Sequence, residues 1–136
     1  MKNQVYICCS FALRKVLEPE LTRIKSVLLT HGYTPWIFVE QYSFTGQQEK
    51  EMMQQAMKDI EQSVFVLAEA TDKGIGIGIE AGYAKALQKA VVYLRKQSAE
   101  HSTTLAGLSD YQIIYESTAD LEKQLVDMLG KVEDWT

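Results

Sequence analysis

Two features of this 136-residue sequence could do chemistry together: the alternating glycines of Gly74-Ile-Gly-Ile-Gly78 and the carboxylate of Glu80 just beyond them. Glycines at 74, 76 and 78 give a backbone that can take positive φ and lie close to a ligand. A helix starting there would aim amide donors at an anion or a sugar hydroxyl. The same spacing also serves as a tight strand-to-helix connection, and spacing alone does not separate the two. It is neither the Gly-x-Gly-x-x-Gly dinucleotide fingerprint nor a phosphate loop, because no Gly-Lys-Ser/Thr follows. In the first turn of the helix, Glu80 would have its charge favoured by about 0.3 to 1 kcal/mol through the helix dipole. An ionised carboxylate held at a ligand site suits a nucleophile or an electrostatic stabiliser. A glutamate that merely complements the dipole is the alternative.

Composition narrows the chemistry. With a formal charge of −4 and scattered lysines and arginines, the chain lacks the basic patch that nucleic acid requires, although a small anion could bind through local donors. Cys8 and Cys9 are adjacent in a strand-like run and so point to opposite faces, which predicts buried free thiols rather than a disulfide. The two histidines, His31 and His101, stand apart, and with no metal-ligand spacing neither a metal nor a cofactor is expected. The longest apolar runs, Val64 to Ala68 and Ala90 to Leu94, are too short to cross a bilayer. Met-Lys-Asn-Gln leads directly into a strand without the pattern of a signal peptide, so a cytoplasmic location is expected.

The elements that must position these residues alternate along a chain of single-domain size. Gln4 to Ser10 reads as a buried strand. A helix then carries Pro19 in its first turn and Leu21, Ile24, Val27, Leu28 and Leu29 at helical spacing up to Gly32. Tyr33 to Glu40 reads as a second strand and Gln41 to Gly46 as a loop. Gln47 to Gln62 is rich in helix formers, with Met52, Met53, Ala56, Met57 and Ile60 along one side. Val64 to Ala70 is a continuous apolar run, as in a strand covered on both faces. The glycine turn and a third helix follow, with Ala90 to Leu94 as strand four. A polar loop with a possible short helical turn around Leu105 leads to Tyr111 to Tyr115 as strand five. A fourth helix runs from Thr118 as N-cap to Gly130.

Strands alternating with helices predict an α/β flavodoxin-like three-layer sandwich: a five-stranded, mostly parallel sheet of order 2-1-3-4-5 with about four helices. Ligands of such sheets sit beyond the carboxyl ends of the strands where the strand order reverses. Tyr6 to Arg14 and Glu69 to Glu80 converge there.

The stretch Glu69-Ala-Thr-Asp-Lys-Gly-Ile-Gly-Ile-Gly-Ile-Glu-Ala-Gly-Tyr-Ala-Lys-Ala-Leu-Gln-Lys89 resembles the signature of the nucleoside 2-deoxyribosyltransferase family, whose superfamily includes 2′-deoxynucleoside 5′-monophosphate N-hydrolases. The resemblance implies that Glu80 attacks the anomeric carbon and expels the base. A glycosyl-enzyme ester forms and is then resolved by water or a second base. It also implies that Tyr6 contacts the nucleophile, that Ser10 and Arg14 occupy the loop facing the 5′ group, and that Ser102 and Thr103 belong to a loop reaching a neighbouring subunit in a homodimer or larger assembly. Glu69, Asp72, Gly74, Gly76 and Gly78 complete the candidate substrate-binding residues.

Two positions depart from the family pattern. Ala56 stands where the family keeps an aspartate in helix two that helps protonate or orient the base, and Gly74 stands where it keeps an aspartate or serine at the 5′ group. The glycine run after strand one is replaced by Phe11, Ala12 and Leu13. Asp59, one turn beyond Ala56, could present a carboxylate on a similar face, or it could be a solvated surface aspartate. The expected function is cleavage or transfer at the N-glycosidic bond of a nucleoside or its 5′-monophosphate. The alternative is a nucleotide-binding module without catalysis.

Overall fold

A computed structural model describes residues 3–132; Met1 and Lys2, which open the segment read for a leader, lie outside them. The strands are β1 (Gln4–Cys9), β2 (Thr34–Ile37), β3 (Phe65–Glu69), β4 (Ala90–Lys96) and β5 (Tyr111–Tyr115). The helices are α1 (Glu18–Thr30), α2 (Phe38–Gln41), α3 (Glu49–Glu61), α4 (Ile75–Ala86), α5 (Thr103–Leu108) and α6 (Thr118–Leu129). All strand pairs are parallel and the sheet order is β2-β1-β3-β4-β5, as expected.

The alternation of side chains along β1 and β3 divides the core into two layers. Val5, Ile7, Phe65 and Leu67 face α1 and α6, where Leu21, Ile24, Leu125 and Met128 pack. Tyr6, Cys8, Val66 and Ala68 face the opposite layer with Ile60 of α3, Ile77, Ala81 and Ala84 of α4 and Leu105 of α5. Cys8 is buried, Cys9 half-buried, and both are free thiols on opposite faces.

The described residues hold six helices rather than about four, because two short ones interrupt segments read as strand and loop. Strand two ends at Ile37, opposite Ile7 in the register, rather than at Glu40. The chain then coils into α2, which brings the Phe38 ring to 6.3 Å from the Tyr6 ring. An apolar layer under the sheet thus overrides the β propensity of Phe38 and Val39. Pro35 is tolerated because β2 is the edge strand, where a missing N–H leaves no ladder bond unmade. Around Leu105 the helical turn is α5, capped by Ser102 Oγ, which accepts from Leu105 N at 3.2 Å. The N-cap of α6 is Ser117, one residue before Thr118; its Oγ accepts from Asp120 N at 3.1 Å. Among the described residues no helix is long and apolar enough to cross a membrane.

Candidate active site

The glycine segment is mostly helix. Gly74 is the N-cap of α4 at φ −114°, and Gly76 and Gly78 lie inside the helix. Gly32 is the described glycine with positive φ, so the alternating glycines do not form the left-handed turn that their spacing suggested. What they lack is side-chain bulk. A Cβ on Gly76 would stand 3.8 Å from Glu80 Oε1, while one on Gly78 or Gly82 would meet nothing within 4 Å.

The helix begins at Ile75, so Glu80 lies in its second turn, beyond the strongest reach of the dipole. Burial governs its charge instead. Removal from water pushes the Glu80 carboxyl up to about 7, with the hydrogen bond from Tyr6 pulling the other way. This corrects the expectation that the helix terminus holds the carboxyl low. The Tyr6 hydroxyl donates to Glu80 Oε2 and ties the middle of β1 to α4. Burial and then the charge of Glu80 raise the Tyr6 phenol far above its ordinary value, so it keeps its proton and acts as a donor.

Asp59 reaches the same neighbourhood, but from beneath. It is buried, with Oδ2 accepting from Trp36 Nε1 at 3.0 Å and Oδ1 accepting from Gln55 Nε2 at 2.8 Å. It is not the solvated aspartate that its place on a charged helix allowed. Its charge contributes to the raised state of the Tyr6 phenol. Above it stands an aromatic wall. Phe38 and Tyr42 are 5.0 Å apart, and the Phe38 and Phe44 rings stack at 6.0 Å with 12° between their planes. Trp36 meets Tyr42 edge-on at 6.4 Å. Sequence reasoning missed this wall, although the aromatic density between Trp36 and Phe44 was the available signal.

The remaining candidates divide. Ser10, after β1, donates to Asp72 Oδ2 at 2.7 Å, closing the sheet's carboxyl end across the β1 and β3 loops. Arg14 is turned onto its own chain, donating to the Val39 carbonyl at 3.0 Å with its guanidinium 5.3 Å from the Phe11 ring. Glu69 is 1% exposed and shares the face of Phe65 and Leu67, opposite to Glu80. Its oxygens accept from Tyr115 Oη at 2.5 Å and from Thr71 N and Oγ1 at 2.8 Å each. Burial raises the Glu69 carboxyl while those donors oppose the rise. Glu69 therefore anchors the end of β3 and does not join Glu80. Gly74 and Gly78 line a cavity of about 310 Å³ with Ile77, Gly82, Ser102 and Leu105, on the side of α4 away from Tyr6. Thr103 is exposed on α5.

The second half of the glycine signature is structural. The Tyr83 hydroxyl donates to Glu61, and Lys89 Nζ donates to the Glu61 carbonyl at 3.0 Å and to the Ser63 carbonyl, so α4 is pinned to the end of α3. Among the described residues no group of three or more His, Cys, Asp or Glu side chains could hold a metal ion.

With this geometry in place, comparison with known proteins is specific. The family model described as nucleoside 2-deoxyribosyltransferase matches residues 5–131. Among solved structures, the CMP N-glycosidase BcmB of Clostridium botulinum superposes with a TM-score of 0.66 at 17% identity, over 90% of this chain and 98% of that one. The 2-deoxyribosyltransferase of Bacillus psychrosaccharolyticus gives 0.69 at 16% identity, over 88% and 90%. That of Leishmania mexicana gives 0.63 at 14%, over 92% and 97%. These likenesses establish the fold. No curated protein gives a significant match.

Proposed function

The chain belongs to the nucleoside 2-deoxyribosyltransferase family, and from that premise we propose that it cleaves or transfers the N-glycosidic bond of a nucleoside or its 5′-monophosphate, with Glu80 as the nucleophile. The observation that carries this reading is the half-buried Glu80 carboxylate, fixed by a neutral phenol from the middle of β1, beside an aromatic wall suited to a base.

A Glu80 oxygen attacks the anomeric carbon, forming the C–O bond of a glycosyl ester as the C–N bond breaks and its electron pair leaves with the base, which takes up a proton. Water, or the nitrogen of a second base, then attacks the same carbon, losing a proton and releasing the carboxylate. Burial favours the first step, because the ester discharges a carboxylate that the protein environment disfavours. Tyr6 holds the nucleophile's orientation and stays protonated throughout. Ser10 and Asp72 stand where the loops after β1 and β3 meet and face the 5′ end of the sugar.

Asp59 supports the site without offering its own proton, since both carboxyl oxygens accept from neighbours. That observation favours a second reading: without a carboxyl at Ala56, the protein binds the nucleotide and does not turn it over. Removal of a general acid slows a reaction by about 10²- to 10⁴-fold. We also place two copies in the working assembly. Ile75 and Ile79 are 85% and 52% exposed along α4, an apolar stripe for a partner to cover.

Deoxynucleosides, their 5′-monophosphates and the ribosyl analogues are incubated with the protein, and free base is followed by chromatography. Release by the wild type and not by Glu80→Ala supports catalysis, and a mass increase of one sugar unit on the denatured protein identifies the ester. Thermal stabilisation by the same ligands without release identifies the binding module. Neither effect across the panel overturns both readings.

A further inference from the structure

The helix α4 separates two spaces. Glu80 and Gly76 face Tyr6 and α3, whereas Gly74, Gly78 and Gly82 face α5. A base attached to a sugar at Glu80 therefore lies on the side of Phe38, Tyr42 and Phe44, where ring faces can stack on it. Stacking tolerates every base, so any discrimination must come from a polar group at that wall.

Gln55 is such a group. It is half-exposed on α3, and its amide is not free to turn. Asp59 Oδ1, 2.8 Å away, is a carboxylate oxygen and requires a donor, which only the amide nitrogen supplies. The second carboxylate oxygen is occupied by the indole N–H of Trp36, a group that can only donate. Burial, and then Asp59, raise the Tyr42 phenol, while the Gln55 amide lowers it, as an N–H turned toward the phenol oxygen does. The nitrogen of Gln55 is thus held by a fixed acceptor, which leaves its carbonyl oxygen as the end of the amide that a ligand can use.

Resting on the glycosidic reading above, we infer that Gln55, held oxygen-outward by Asp59, selects bases whose edge carries an exocyclic amino group, of the cytosine or adenine kind, over bases carrying a carbonyl oxygen there, of the uracil or hypoxanthine kind. An amino group donates to the exposed oxygen. A carbonyl sets two acceptors against each other and leaves both unsatisfied. Asp59 is here a positioning residue that acts through Gln55.

The test compares kcat/KM for matched pairs, deoxycytidine with deoxyuridine and deoxyadenosine with deoxyinosine, each also as its 5′-monophosphate. The wild type should favour the amino member by on the order of 10- to 100-fold. Asp59→Asn should release the amide to turn, bringing the ratio toward one mainly through KM. Gln55→Ala should do the same at a half-exposed position where folding is not at stake. A wild-type ratio at or below one, or an amino preference that survives in Gln55→Ala, overturns the inference. If no base is released from any substrate, the catalytic reading fails instead. The selection is then read from ligand-induced melting shifts with cytidine and uridine 5′-monophosphates, where equal shifts overturn it and a larger cytidine shift that is lost in Gln55→Ala sustains it.

Discussion

The Tyr6 hydroxyl donates to the Glu80 carboxylate, joining the second layer of a central strand to the second turn of a helix 74 residues away. The bond favours the charged form of Glu80 and burial opposes it, and burial prevails. The carboxyl consequently titrates close to neutral pH, which makes its ionisation measurable.

Catalysis through ionised Glu80 should be lost on acidification. The expected kcat/KM climbs with pH through a single limb centred at about 7 and levels off above it. Tyr6→Phe removes the donor that favours the anion, so its limb should move to higher pH and the plateau should fall by about 10- to 100-fold. A pH–rate profile of both proteins decides; an unmoved limb removes Tyr6 from this role.

The same shift has a consequence for stability with a definite sign. The folded-state carboxyl titrates at about 7, against an ordinary value of 4.5, so between those values the native state binds the extra proton. Its contribution is fully present below pH 4.5 and is lost as pH rises through 7. Glu80→Gln cannot ionise and escapes that loss. In chemical denaturation, the stability of Glu80→Gln relative to wild type should increase from pH 5 to pH 8. A constant difference would show that Glu80 titrates at its ordinary value.

Glu69 belongs to the scaffold on the opposite face. Tyr115→Phe removes the donor 2.5 Å from its carboxylate and should destabilise the fold by about 1 to 3 kcal/mol, with Glu80-dependent base release retained per folded molecule. Urea unfolding alongside the activity assay checks this. A selective loss of turnover without loss of stability would return Glu69 to the site.

Gly78 and Gly82 have helical backbones and space for a methyl group. Gly78→Ala and Gly82→Ala should each stabilise the isolated fold by about 0.5 to 1 kcal/mol by restricting the unfolded chain and improving helix propensity. A destabilisation seen only at protein concentrations where the chain is associated would show that a second copy's backbone needs this surface.

Much of the architecture is legible in the residues. The apolar run from Val64 to Ala70, the helical spacing of Leu21, Ile24 and Leu28 and the stops at Gly32 and Gly130 specify alternating strands and helices, because periodicity records which face is buried. That pattern leaves few topologies compatible with right-handed crossovers, and the expected 2-1-3-4-5 order is one of them. The pairing of Glu80 with Tyr6 was accessible through the family signature. Even the turning away of Glu69 was written in its odd-numbered parity with Phe65 and Leu67.

Other properties depend on what lies nearby in space. Local pattern made Phe38 and Val39 a strand, yet they coil because Phe38 finds an apolar seat over Tyr6. Helix position suggested a low Glu80 carboxyl, but a titration equilibrium responds to the loss of water from every direction, and that loss is assembled from β1, α2, α3 and α4. Asp59 was one carboxylate on a charged helix until Trp36 and Gln55 closed over it. The residue types along the chain thus determine that a glutamate follows the glycine segment after the third strand of a parallel sheet. Its ionisation, its neighbours and the direction of the Gln55 amide arise only when distant segments exclude water together, since burial and hydrogen-bond geometry are properties of the packed chain.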